Sequence, residues 1–166
     1  MYRTGHYGAA LLVFAPVALL LVASGFDRLA VLGGTVVVGG SMLPDVDQRI
    51  PVLSHRGATH TVWFALLVGV LVGGAAWVLG HGVPPRTRIG LAVFGFVVGC
   101  STIVAHIFAD ALTPMGVRPF TPFGTASWSL GVTRAASPVG NALLLATGVL
   151  VATGAFVLGH RINPLL

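Results

Sequence analysis

The chain has 166 residues, 55% of them hydrophobic and only 8% charged, with a mean hydropathy of +0.95. Nine Arg, four Asp, no Lys and no Glu cannot cover a water-facing surface, where about a quarter of residues are ordinarily charged; a soluble enzyme, a disordered chain and a coiled coil are excluded. The net charge of +5 comes from arginines spread singly along the chain, so there is no basic patch for nucleic acid, and the single Cys100 excludes a disulfide scaffold.

These limits leave an all-α polytopic transmembrane bundle of about five spans, with residues 1–166 as one domain. The first span is Gly8–Ser24. Arg3 ahead of it and Val22-Ala23-Ser24 at its end resemble a signal peptide, but four further apolar runs follow, and they point to a retained span. After a tight link at Gly25–Arg28 comes Leu29–Leu43, only 15 residues long and containing Gly33, Gly34, Gly39 and Gly40. It reads as a short span or a re-entrant segment, since a bilayer core takes roughly 20 helical residues. Pro44–Ala58 is polar and turn-rich. Val62–Leu79 is the third span. Gly80–Arg88 carries Pro84 and Pro85, and Ile89–Ala105 is the fourth span, continuing to Leu112. The long Thr113–Pro138 connection precedes the fifth, Val139–Gly159. Five spans place the N-terminus, Pro44–Ala58 and Thr113–Pro138 on one membrane face. That face carries Arg3, Arg49, Arg56, Arg118 and Arg134, against Arg28, Arg86, Arg88 and Arg161 on the other. The division is too even for the positive-inside rule to set the orientation; the expected location is the cytoplasmic membrane.

The ionisable residues are few, and their distribution is uneven. His6, Asp45, Asp47, His55, His60, His106 and Asp110 all fall on one face, or in the last turns of a helix leading to it. Only Asp27, His81 and His160 fall on the other. Seven candidate ligands from four segments thus converge on one membrane surface.

His106 and Asp110 are i and i+4, about 40° and roughly 6 Å apart on a helix, close enough to bridge one metal. Gly95, Gly99, Thr102, His106, Asp110 and Thr113 share a stripe of about 80°, the small polar face that membrane helices turn towards neighbours. A carboxylate in such a helix costs roughly 2.5–3.5 kcal/mol at mid-bilayer and marks function; pairing of Asp110 with an Arg near the helix end is the structural alternative. Pro44-Asp45-Val46-Asp47 makes a turn that also offers two carboxylates. In His55-Arg56-Gly57-Ala58-Thr59-His60, Thr59 reads as an N-cap, which puts His60 in the first turn of the third span and His55 in the loop. His6 lies just before the first span. Gly69/Gly73 and Gly95/Gly99 both read G-x-x-x-G; the first pair sits roughly opposite His60, which does not support packing of the His60 and His106 faces through them. Phe120, Phe123 and Trp128 read as interfacial anchors, with an apolar lip admitting a lipid as the alternative.

His6, then Leu-Pro-Asp45-Val-Asp47, then His55-Arg-Gly-Ala-Thr-His60-Thr, then His106-Ile-Phe-Ala-Asp110-Ala-Leu-Thr-Pro, then Pro122-Phe123, is an order that resembles the YdjM-like family of membrane-bound metal-dependent hydrolases, also called LexA-binding inner-membrane-associated hydrolases. The resemblance covers most of the chain. Thr61 stands where a Ser is usual, and Gln48 where a different polar residue or a His often follows. The His and Asp pattern is also similar to that of zinc-dependent phospholipase C and related phosphoesterases. The resemblance implies hydrolysis with a divalent metal. His and carboxylate ligands suit zinc first, with manganese or iron as alternatives, and seven candidates exceed the needs of one four-coordinate zinc, which leaves room for two ions.

Together these readings give a membrane-bound metal-dependent hydrolase acting on a phosphoester or lipid-linked substrate at the headgroup level. Asp45, His60, His106 and Asp110 are the first expected ligands, and His6 and His55 the next. Asp47 is expected as a ligand or as the base that orients water. Arg56 is expected to hold a phosphate or developing negative charge, with Thr113 and Phe123 beside the substrate. The rivals are a non-catalytic membrane anchor and an ion or metal transporter; the latter favours polar groups at the bilayer midplane, where these spans are clean.

Overall fold

Proline, glycine and hydroxyl residues set the helix limits. In the computed structural model, which describes residues 1–52 and 54–163, the helices are α1 (Arg3–Ala23), α2 (Asp27–Gly40), α3 (Val62–Leu79), α4 (Pro85–Ala111) and α5 (Pro138–Ile162). Pro85 and Pro138 open their helices, where a missing N–H has no intrahelical partner to lose, and the Ser137 hydroxyl accepts the Gly140 N–H to cap α5. Two 3₁₀ turns, Pro44–Arg49 and Ala58–His60, occupy the connection between α2 and α3. Among the described residues there is no strand, only an isolated antiparallel bridge between Val117 and Trp128.

Among the described residues, five helices are long and apolar enough to cross a membrane, the second only when its 3₁₀ extension to Arg49 is included. Although α2 has 14 residues, it runs the length of the bundle. It starts beside the end of α1, packs Gly33 on Phe14 and Gly40 on Thr102, and ends where Ser41 meets His106. It is therefore a short span completed by the 3₁₀ turn and not a re-entrant segment, so His6, His60 and His106 lie at one end of the bundle.

Phe14, Val22, Val37, Val98 and Ala105 form the central core of α1, α2 and α4. The outer helices are held by small residues, as expected where lipid supplies no hydrophobic contrast. On the α1–α5 contact, Gly8 and Gly148 touch backbone to backbone. On the α3–α4 contact, a Cβ at Gly99 would stand 2.7 Å from the Val68 carbonyl oxygen, and one at Gly95 2.9 Å from that of Val72. The two G-x-x-x-G motifs thus do seat on each other, contrary to the helical-wheel expectation. That wheel included His60, which is not part of the helix: Thr61, in an extended conformation, is the N-cap of α3 and accepts the Phe64 N–H. Thr59 is not the cap; its hydroxyl turns to Asp47.

Candidate metal centre

Five side chains from four segments meet at the end of the bundle. α1 supplies His6 from its first turns, the 3₁₀ turn after α2 supplies Asp45, the turn before α3 supplies His60, and the last two turns of α4 supply His106 and Asp110. His6, His60, His106 and Asp110 are buried, and Asp45 is partly exposed.

Hydrogen bonds at one ring nitrogen decide what the other can do. His106 Nδ1 lies 2.7 Å from the Ser41 carbonyl oxygen and His6 Nδ1 3.1 Å from that of Tyr2. A carbonyl only accepts, so both Nδ1 atoms carry hydrogen and both Nε2 atoms keep a lone pair. His60 Nδ1 faces Thr59 Oγ1 at 3.0 Å and Asp47 Oδ2 at 3.4 Å, and the Thr59 hydroxyl donates to Asp47 Oδ2 at 2.8 Å. This again assigns the hydrogen to Nδ1 and leaves Nε2 open.

The open atoms converge. His60 Nε2 and His106 Nε2 are 3.0 Å apart. Asp45 Oδ1 is 3.7 and 3.5 Å from them, and Asp110 Oδ2 is 3.6 and 3.7 Å from them. His6, stacked on His106 with ring centroids 4.2 Å apart, has a buried Nε2 with no hydrogen-bond partner, 3.7 Å from Asp110 Oδ1. Lone pairs this close repel unless a cation or proton lies between them. The separations match the edges of a tetrahedron with metal–ligand bonds of about 2.0–2.1 Å, whose edges are about 3.3 Å. The donor set therefore fits a divalent cation. In three overlapping groups the ligand atoms lie within 4.8 Å of one another: His6, Asp45 and His106; Asp45, His55 and His60; and His60, His106 and Asp110.

The remaining sequence-selected residues are placed differently. Asp47 is buried behind His60, and its carboxylate is engaged by His55 Nδ1 at 3.0 Å, the Arg56 N–H at 3.2 Å and the Thr59 hydroxyl. It faces ring nitrogens that are already hydrogen-bonded and is not directed at the open atoms, the position an outer carboxylate takes behind a histidine ligand. His55, half exposed, stands at the mouth, 3.9 Å from Asp45 Oδ1. Arg56 takes a left-handed backbone (φ 61°), a conformation that costs a non-glycine residue roughly 1–2 kcal/mol. In exchange its N–H reaches Asp47, Nη1 donates to the Gly116 carbonyl at 2.7 Å and Nη2 pairs with Asp110 Oδ1 at 3.2 Å. The Met1 amine lies 3.3 Å from the same oxygen, so Oδ2 is the carboxylate atom left facing His60 and His106. Arg56 is thus a strut inside the site as well as a candidate anion binder. The Thr113 hydroxyl is spent on the Asp110 carbonyl at 2.8 Å, terminating α4, and does not face the cluster. Phe123 lies apart from it, edge-on to Trp63 at 5.4 Å. At the opposite end, His160 pairs with Asp27 at 3.2 Å on the surface.

A family model described as YdjM inner membrane protein matches residues 1–165. The chain belongs to the YdjM inner membrane protein family. Its place is accordingly the inner membrane, with five helices able to cross the bilayer. No curated protein and no solved structure matches the chain. Ser41, Thr59 and Gly116, which hold this YdjM-family cluster in place, were not among the residues selected from the sequence. Ser41 and Gly116 act through backbone carbonyls, which leave no mark on residue type. Thr59 reads from the sequence as an N-cap, which gives no sign of its bond to Asp47.

Proposed function

We propose that this protein is a metal-dependent hydrolase of phosphoesters presented at the membrane surface. The observation that carries the reading is the meeting of three outward Nε2 lone pairs with the Asp45 and Asp110 carboxylates at 3.0–3.7 Å. A purely structural polar cluster would satisfy these atoms among themselves.

His60, His106, Asp45 and Asp110 would hold one cation, with His6 beside them, while His55 stands at the solvent edge with its Nδ1 on Asp47. Imidazole with carboxylate suits zinc first, then manganese or iron. When bound, such an ion lowers the pKa of water to about 7 and polarises a phosphoryl oxygen. The chain's own residues do the rest. Ser41 and Tyr2 carbonyls and Asp47 fix the three rings by their Nδ1 hydrogens, so no ring reorganises during reaction. Arg56 holds Asp110 with Oδ2 inward. His55, open to solvent at the mouth, is placed to pass a proton between bulk water and a leaving oxygen. Confinement of the cluster to one end of the helices favours surface chemistry over transport, which would need polar groups at the midplane.

Purified protein supplied with zinc or manganese is expected to hydrolyse a member of a panel of phospholipids and soluble phosphoesters. Asp110→Asn and His106→Ala should reduce turnover to background. His81→Ala and His160→Ala, at the opposite end, should retain it. Wild-type turnover in the first pair refutes the assignment, and absence of hydrolysis across the panel returns the protein to the membrane-anchor reading.

A further inference from the structure

The turn around Arg56 and the long α4–α5 connection enclose a cavity that the metal centre leaves unexplained. It measures about 430 Å³ and lies between residues 54–57 and 115–127. His55 and Arg56 line it, and both also touch the cluster, at Asp45 and Asp110 respectively. A group held in this cavity would therefore sit beside the candidate ligands without displacing them.

Charge decides what the cavity accepts. Arg56 and Arg118 line it together with the hydroxyls of Ser54, Thr121 and Ser127, and no carboxylate does. The chain has four acidic side chains, and each faces elsewhere: Asp27 towards His160, Asp45 towards the open cluster nitrogens, Asp47 towards His55 and Thr59, and Asp110 towards Arg56. Among the described residues, exposed Arg118 pairs with none of them. The Asp45 and Asp47 carboxylates stand behind His55, which places the positive side of the cavity at Arg118. An unpaired guanidinium among hydroxyl donors is a site for a phosphate group.

The cavity also has an apolar continuation. Thr121 is shared with a slot of about 390 Å³ lined by Ala58, Trp63, Phe64, Leu67 and Phe123. Trp63, Phe64 and Leu67 stand on the first turns of α3, so the slot runs from the loop level into the span, over about 6 Å from Trp63 to Leu67. Phe123, 85% exposed, closes edge-on over Trp63 and is unfavourable in water, but not against a hydrocarbon chain.

We propose that cavity and slot form one site for an anionic phospholipid, with Arg118 binding the phosphate and the Trp63–Phe123 slot taking the first methylenes of an acyl chain. This inference rests on the hydrolase reading for the identity of the neighbouring cluster, and it names the substrate class of that site.

Binding separates it from turnover. The purified full-length protein in detergent is titrated with the non-hydrolysable phosphonate analogue of dioctanoyl phosphatidate, with dioctanoylglycerol and with inorganic phosphate, using tryptophan fluorescence. The phosphonate lipid is expected to bind at least about tenfold more tightly than either fragment. Arg118→Gln should weaken it by about tenfold, the size of one charge-assisted hydrogen bond, with partial recovery in Arg118→Lys and unchanged thermal midpoints in both. Phe123→Ala should weaken the lipid and leave inorganic phosphate unaffected. Unchanged lipid affinity in Arg118→Gln overturns the headgroup assignment. Equal affinity for inorganic phosphate and the lipid overturns the slot and makes the ligand a free anion. Arg118-dependent lipid binding in a protein with neither metal nor turnover upholds this site while the hydrolase reading falls.

Discussion

Asp47→Asn separates a ring-orienting carboxylate from a catalytic base. Asp47 is 2% exposed and receives hydrogen bonds from His55 Nδ1, Thr59 Oγ1 and the Arg56 N–H at 3.0, 2.8 and 3.2 Å, with His60 Nδ1 3.4 Å away. Asn keeps the shape but presents an NH₂ group where one carboxylate oxygen accepted, so at least one charge-assisted bond is lost. That loss is worth about 1.5–3 kcal/mol of folding stability. His60 is released from its fixed tautomer, and loss of such an outer carboxylate typically lowers metal affinity 10–100-fold, or about 1.4–2.7 kcal/mol of the stabilisation that bound metal provides. Zinc affinity is measured by competition with a chromophoric chelator, and turnover is then assayed with zinc in excess. The variant is expected to bind zinc 10–100-fold more weakly and to recover turnover to within a few-fold once saturated. Wild-type zinc affinity would refute the orienting role. A turnover deficit of about 10²–10⁴ persisting at saturating zinc would identify Asp47 as a general base instead.

Gly99→Val should separate α3 from α4, because its Cβ alone would stand 2.7 Å from the Val68 carbonyl oxygen. A loss of about 1–3 kcal/mol is expected in detergent thermal denaturation, accompanied by weaker metal binding, since His60 precedes α3 and His106 lies on α4. With Cys100 replaced, single cysteines at Thr4, Ser54 and Met115 should react with a membrane-impermeant thiol reagent from the same side, and one at His81 from the other. Thr4→Cys reacting from the side opposite to Ser54→Cys would contradict the five-span topology.

The fold was legible where composition left no alternative. The six His and four Asp, sorted by span parity, placed the cluster at one end, and the Pro and Gly connections fell where the helices stop. What escaped the sequence depended on three dimensions. The completion of α2 comes from a 3₁₀ turn after its glycines, which no helical period reveals. The cap of α3 is decided between two threonines two residues apart, and the Asp47 carboxylate claims Thr59 from outside the local segment. The same contact explains why Asp47 and Asp45, neighbours in one turn, part ways: Asp45 faces the ring nitrogens left open, and Asp47 the nitrogens already hydrogen-bonded. Arg56 was legible as a cation near the site, but its left-handed backbone and its hold on Asp110 were not, because Asp110 is 54 residues away. His106 and Asp110 were the most readable pair, since their relation is set by one helix.

Metal analysis of the purified protein is the most direct test of the central claim. Elemental mass spectrometry after dialysis should find at least one equivalent of a divalent transition metal per chain, with zinc foremost. Removal of the metal should lower the thermal midpoint and re-addition restore it. Protein that carries no stoichiometric metal, and gains no stability from added zinc or manganese, would contradict the account.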